Sequence, residues 1–258
     1  MLEVKFKEFV DIVKRLRKEC PWDREQTNAT IKAATLEEAY ETVHAIDEND
    51  FGELKKELGD LFFHIVFHTA IAEELKEFTF EEVIDEISAK LIRRHPHVFS
   101  DVKVSGTEEI MKNWETIKLQ EGRTSILEGV PQTMPAIMRA HRLQEKASKV
   151  GFDWDAIADV KKKVNEELDE LQIEIDNNQI EKAEEEFGDL LFSLINLSRF
   201  LNINPETALR KTTNKFEKRF TYIEKKLAEQ NKKITDVDLK EMDKYWEESK
   251  TIEKADLT

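Results

Sequence analysis

Glu167 and Glu170 stand three residues apart, and so do Glu186 and Asp189. On a helix, residues three and four apart share a face. Each pair therefore projects together. The stretch between the pairs carries a short polar turn at Asp176 and Asn178, which predicts an antiparallel helical hairpin with four carboxylates along one seam. Like charges at such range repel and do not stay ionised away from water without a counter-charge. A hard divalent cation supplies one. Mg²⁺, with Mn²⁺ as a substitute, prefers oxygen ligands and bridges carboxylates to phosphates. The single cysteine, Cys20, and the lack of an HExxH pairing leave no zinc alternative.

Acids are common here, so one such pattern could be plain surface charge. The pattern occurs twice. Glu38, Glu41, Glu57 and Asp60 repeat the spacing 129 residues earlier, and Gly59-Asp60-Leu61 matches Gly188-Asp189-Leu190. The turn repeats as well, Asp47 and Asn49 aligning with Asp176 and Asn178. Farther on, Lys90 and Arg94 recur as Lys215 and Arg219, and Trp114-Glu115-x-x-Lys118 recurs as Trp246-Glu247-x-x-Lys250. The halves read as copies of one helical unit.

The basic residues suit a phosphate chain. Lys215 and Arg219 share a helical face, the arginine as a planar fork and the lysine as a point charge. Lys163 lies four before Glu167, over the carboxylates, but its counterpart in the first copy is Ala34. The copies are thus chemically unequal. His44, His64 and His68 align with Ile173, Ser193 and Leu197. Shared chemistry would exclude them, so they read as satisfied core or surface groups. Cys20 reads as packing. Trp246, in a Lys-Tyr-Trp-Glu-Glu setting, either anchors the last helix or stacks on a base.

The elements that must position these groups are helical throughout. Seven glycines and five prolines in 258 residues leave few breakers, and 37% charged with 40% hydrophobic residues suits amphipathic helices. Apolar spacing predicts helices over residues 4–16, 30–46, 51–76, 80–94 and 105–120, with Asp23 and Gln26 as a capping box ahead of the second. Gly122, Gly129, Pro131 and Pro135 form the densest cluster of breakers. The expected domains are 1–121 and 136–258, joined by a linker at 122–135. A net charge of −15 disfavours nucleic acid and anionic membranes as partners. The lone cysteine, and the absence of a signal-type or membrane-spanning apolar run, fit a cytoplasmic protein.

Longer motifs carry a resemblance. Cys20-Pro-Trp-Asp-Arg-Glu-Gln-Thr27, Leu36-Glu-Glu-Ala-Tyr-Glu41, Glu57-Leu-Gly-Asp-Leu61, Arg93-Arg-His-Pro-His-Val-Phe99, Arg142-Leu-Gln-Glu-Lys-Ala147 and Val150-Gly-Phe-Asp-Trp154 span nearly the whole chain. Together they resemble the MazG family of nucleoside triphosphate pyrophosphohydrolases in its two-domain bacterial form. The resemblance implies an all-α fold of two tandem helical bundles, each with a four-helix core. It also implies Mg²⁺ dependence, homodimerisation and conversion of an NTP to NMP and pyrophosphate. It carries metal ligands onto Glu167, Glu170, Glu186 and Asp189, and less firmly onto Glu38, Glu41, Glu57 and Asp60. Nucleotide contacts fall on Lys163, Glu166, Lys182, Ala183, Glu184, Glu185, Lys215, Arg219 and Trp246. Glu166 or Glu167 would orient or deprotonate the attacking water. Asn28 departs from the motif, which usually has histidine there. Two alternatives stay open: a narrow hydrolase for dUTP or modified nucleotides, and a helical scaffold with vestigial acidic sites.

Overall fold

Scarce breakers and helical apolar spacing produce helices along residues 1–121 and 124–255, the part of the chain that the computed structural model describes. The side chains of Glu115 and Lys118, together with Gly122, lie outside the described residues. No strand occurs among the described residues. The helices fall into two units, Met1–Ile110 and Met111–Thr258, and residues 122–135 belong to the second.

The first unit contains α1 (Leu2–Glu19), α2 (Pro21–Glu25), α3 (Asn28–Asp47), α4 (Phe51–Leu75), α5 (Phe80–Arg94) and α6 (Pro96–Phe99); α7 (Thr107–Gln120) begins at its end. Helices α1, α3, α4 and α5 close around Val13, Ile31, Val66, Phe67, Ile71 and Phe80. Phe6 and Phe9 of α1 meet Phe62 at centroid distances of 5.9 and 5.2 Å, so aromatic contacts seal the edge of this core.

The second unit contains α8 (Ala136–Ser148), α9 (Ile157–Asp176), α10 (Ile180–Phe200), α11 (Pro205–Glu229), a 3₁₀ turn (Ile234–Asp236) and α12 (Leu239–Ala255). Helix α10 packs against α8, α9 and α11, and α12 packs on α11 around Ile223, Leu227 and Tyr245.

Each unit is organised by one hairpin, α3–α4 or α9–α10. The two turns are built alike. Asn49 and Asn178 take left-handed backbone at φ 56° and 55°, which asparagine tolerates better than most residues. The next amide then folds back, Asp50 N–H donating to Ala45 O at 3.0 Å and Gln179 N–H to Glu174 O at 2.9 Å.

One capping expectation fails. Asp23 and Gln26 do not open α3. Pro21, fixed at a helical φ, starts the short helix α2, within which Asp23 is buried. The chain straightens at Gln26, and Thr27 becomes the N-cap: its Oγ1 accepts from Thr30 N–H while Thr30 Oγ1 accepts from Thr27 N–H.

Two buried cations brace the units at equivalent positions, Arg17 and Lys146, again 129 apart. Arg17 donates to the carbonyls of Asp23 and Gln26 and pairs with Glu74, Nη2 to Oε2 at 2.6 Å. It ties α1, α2 and α4 together. Arg17→Ala is expected to lower stability by about 2–3 kcal/mol, because it removes the buried charged donor to the Asp23 and Gln26 carbonyls and breaks the pair with Glu74. Urea unfolding followed by circular dichroism measures this; a loss below about 0.5 kcal/mol, the range of ordinary surface changes, would contradict the bracing role.

Candidate functional site

The hairpin α9–α10 assembles the acidic groups of the second unit. Glu167, Glu186 and Asp189 each offer a carboxylate oxygen, and the three oxygens lie within 4.8 Å of one another. Glu167 is buried, Glu186 half-buried and Asp189 exposed, so the cluster opens to solvent on one side. Glu170 stands beside it. Partial desolvation, and then the charges of Glu167 and Glu186, push its carboxyl above the usual range. The expected seam therefore forms as three converging carboxylates with a fourth alongside.

Lys163 bridges two of the acids. Its Nζ lies 2.6 Å from Glu166 Oε1 and 2.8 Å from Glu167 Oε1. These partners raise the lysine above its ordinary value, and the same contact lowers the exposed Glu166. The site thus keeps one fixed positive charge at its edge.

The first unit builds a similar cluster without that charge. Glu38, Glu41 and Glu57 converge within the same 4.8 Å, and Asp60 is near enough for its charge to act on Glu38. Desolvation, and then Glu41 and Asp60, raise the Glu38 carboxyl. Ala34 occupies the place of the lysine. The neighbouring cationic candidate is the buried His64 on α4, with Nε2 3.9 Å from Glu38 Oε1. His64 Nδ1 and His68 Nε2 share Thr35 Oγ1 at 3.0 and 2.8 Å, and His68 Nδ1 meets Asn28 Oδ1 at 2.7 Å. His68 and the Nδ1 of His64 are satisfied by these neighbours.

The remaining candidates lie on other surfaces. Lys182, Glu184 and Glu185 are exposed on the first turns of α10, with Ala183 half-buried among them. Lys215 is exposed on α11. Arg219 pairs with Glu253, Nη2 to Oε2 at 2.6 Å, and sits 5.4 Å from the ring centroid of Trp246. This cation and aromatic make a platform on α11 and α12. None of Lys215, Arg219 and Trp246 is among the residues lining the cleft beside the acids.

That cleft has a volume of about 660 Å³. Lys163, Glu167 and Asp189 are among the residues that line it. Leu143, Val160, Phe192, Phe152 and Trp154 give it apolar walls, and Gln144, Ser193 and Asn196 add polar groups. The loop bearing Phe152 and Trp154 is tied to α10 by Asp153, whose Oδ2 accepts from Arg199 Nη1 at 2.8 Å. The sequence reading did not single out Gln144 or Asn196, and it named Ser193 only as the counterpart of His64. Comparing the copies could have found two of them: Asn196 aligns with Phe67 and Ser193 with His64, each a change from bulky to small.

Comparison with known proteins agrees with the repeat. The MazG nucleotide pyrophosphohydrolase domain model matches residues 26–99 and again 157–223. The chain is 43% identical over 251 residues to a nucleoside triphosphate pyrophosphohydrolase of Escherichia coli strain K12, covering 94% of this chain and 95% of that one. It is 44% identical over 250 residues to the nucleoside triphosphate pyrophosphohydrolase/pyrophosphatase MazG of Thermotoga maritima, covering 95% of each.

Proposed function

Because this chain belongs to the MazG nucleotide pyrophosphohydrolase domain family, we propose that it hydrolyses nucleoside triphosphates, of both ribo and deoxy series, to monophosphate and pyrophosphate in a Mg²⁺-dependent reaction at the second-unit cluster. The observation that carries the reading is the convergence of Glu167, Glu186 and Asp189 oxygens within 4.8 Å. An all-carboxylate donor set from three side chains fits a hard cation, and Glu170, raised by desolvation and then by the charges of Glu167 and Glu186, stands beside it. When bound, the cation supplies positive charge and Lewis acidity at the anhydride.

The chain's own groups do the rest. Glu167, Glu186 and Asp189, with Glu170 beside them, would hold the cation. Lys163, kept protonated beside its two carboxylate partners, would offset phosphate charge in the cleft. Glu166, exposed and held by Lys163, would orient the attacking water through its second carboxylate oxygen, or Glu167 would deprotonate it. Lys215, Arg219 and Trp246, on the α11–α12 platform outside the cleft lining, are assigned to the nucleotide by the family likeness alone. Lys182, Ala183, Glu184 and Glu185 line the approach at the start of α10.

We assign the working form to a cytoplasmic homodimer. Leu168 and Ile175 on α9, and Phe187, Leu191 and Leu194 on α10, are exposed apolar groups, a pattern that marks interaction surfaces. A Cβ at Gly188 would meet no atom within 4 Å, which leaves room for close approach from outside the chain. No helix among the described residues is long and apolar enough to cross a membrane.

Pyrophosphate release from ATP, dATP and UTP with Mg²⁺, lost on adding EDTA, tests the reading. Orthophosphate as the product, or activity indifferent to EDTA, would overturn it. The copies are expected to contribute unequally. Glu38→Ala should cost less than about threefold, against about a hundredfold or more for Glu167→Ala, because Ala34 leaves the first cluster without a fixed cation. Equal losses on the same assay would refute that ranking.

A further inference from the structure

In the first unit a buried imidazole aims one nitrogen at the acids. His64 is 7% exposed. Its Nε2 lies 3.9 Å from Glu38 Oε1, too far for a hydrogen bond, and makes no other among the described residues. Glu38 in turn converges with Glu41 and Glu57. Glu57, Asp60 and His64 stand three and four residues apart along α4 and so share a face, and the charges of Asp60 and His64 both act on Glu38. The second unit has Ser193 at the equivalent place, and its hydroxyl is turned back to Leu190 O at 2.9 Å.

A chain of hydrogen bonds decides where the protons sit. Asn28 Oδ1 only accepts, so His68 Nδ1 donates to it at 2.7 Å. A neutral His68 then accepts at Nε2, 2.8 Å from Thr35 Oγ1. Whether the single Thr35 proton goes to that nitrogen or to Ile31 O at 3.2 Å, Oγ1 accepts from His64 Nδ1–H at 3.0 Å. His64 Nε2 is left with a bare lone pair facing a carboxylate. Two partly buried acceptors face to face lack the positive charge that would pair them. This is also how a metal-binding imidazole is held, its far N–H tied to an oxygen and its near nitrogen free. Bonds of about 2.1 Å let two ligands of one ion stand up to about 4.2 Å apart, and the 3.9 Å gap is within that span.

We propose that the first-unit cluster is a cation site of a different kind from the second, in which His64 Nε2 and Glu38, with Glu41, Glu57 and Asp60 around them, bind a first-row transition ion in preference to Mg²⁺. Nitrogen is the deciding donor. Imidazole suits Co²⁺, Ni²⁺ and Zn²⁺, whereas Mg²⁺ takes oxygen and gives up its waters reluctantly. Glu41 is exposed, so the cluster is open to an entering ion. Ala34 stands where the second unit has Lys163, so no lysine at that position competes with an ion for the acids. Glu38 lies on α3 and His64 on α4, so the ion clips the hairpin together. The inference concerns the first unit and does not rest on the hydrolase reading.

The probe is Co²⁺, titrated calorimetrically into the full chain in a large excess of Mg²⁺, with proton NMR of the loaded sample. One Co²⁺ is expected to stay bound against Mg²⁺, to raise the melting temperature, and to give an exchangeable imidazole N–H resonance, that of His64 Nδ1, displaced far outside the diamagnetic range. His64→Gln should weaken Co²⁺ at least about tenfold, and Thr35→Val, which acts through the imidazole, about tenfold. Pyrophosphate release by His64→Gln with Mg²⁺ should stay within about twofold of the parent chain. The proposal is overturned if Mg²⁺ displaces Co²⁺ mole for mole, if the parent chain shows no displaced imidazole resonance, or if a folded His64→Gln binds Co²⁺ as the parent does. Should His64→Gln fail to fold, the resonance in the parent chain decides. Loss of EDTA-sensitive pyrophosphate release by the parent chain would count against the hydrolase reading alone.

Discussion

Glu167→Ala is expected to cut pyrophosphate release at least about a hundredfold while helical content and melting temperature hold. Three features of this carboxylate set the size of the effect. It is 5% exposed, whereas its partner Asp189 is open to solvent, so solvent water cannot readily replace it. Its oxygen is one of the three that converge within 4.8 Å. It also shares Lys163 with Glu166, so its loss removes a cation ligand and releases the lysine from one of its anchors. The fold should not suffer. Alanine is a better helix former than glutamate, and removing one member of a like-charged cluster relieves repulsion. Circular dichroism melts and a pyrophosphate assay on the same preparation decide the matter. Activity above about half that of the parent chain would exclude the cluster as the reaction centre.

Lys146→Met should lower stability by about 3 kcal/mol. The methionine keeps most of the apolar stem and deletes the ammonium. Lys146 is 2% exposed, and its Nζ donates to Ile126 O at 2.9 Å and Glu128 O at 3.1 Å. Both carbonyls would lose the charged donor that the buried lysine holds against them. The segment they belong to includes Leu127, which lines the same cleft as Lys163, Glu167 and Asp189, so pyrophosphate release should fall along with stability. Urea unfolding measures the change. Lys161→Met, at an exposed position, is the control and should move the curve by less than about 0.5 kcal/mol. Equal shifts in the two variants would remove the buried donor from the account.

The acids were legible because helical periodicity is local. Three- and four-residue spacing places Glu167 with Glu170 and Glu186 with Asp189 whatever surrounds them, and the left-handed turns at Asn49 and Asn178 follow from a residue type that tolerates that backbone. The capping of α3 was misread within the same local range, because Pro21 starts a separate turn that competes for Asp23. Arg17 and Lys146 were read past for a different reason. Cations in charged helices look like solvated surface until it is known that carbonyls from Asp23, Gln26, Ile126 and Glu128 surround them.

The order of residues alone determined an all-helical duplicated chain, the two hairpins and the acidic faces they carry, since each depends on contacts within a few turns of one helix. It also marked the second copy as the better equipped, through Lys163 against Ala34. Only the tertiary structure decided which carboxylates converge, that Arg219 and Trp246 meet on α11 and α12 away from the cleft, and that Phe67 fills in one unit the space that Asn196 leaves open in the other. Those outcomes depend on how neighbouring helices fill volume against one another, and volume is shared among residues far apart in the chain, so no short window of sequence contains it.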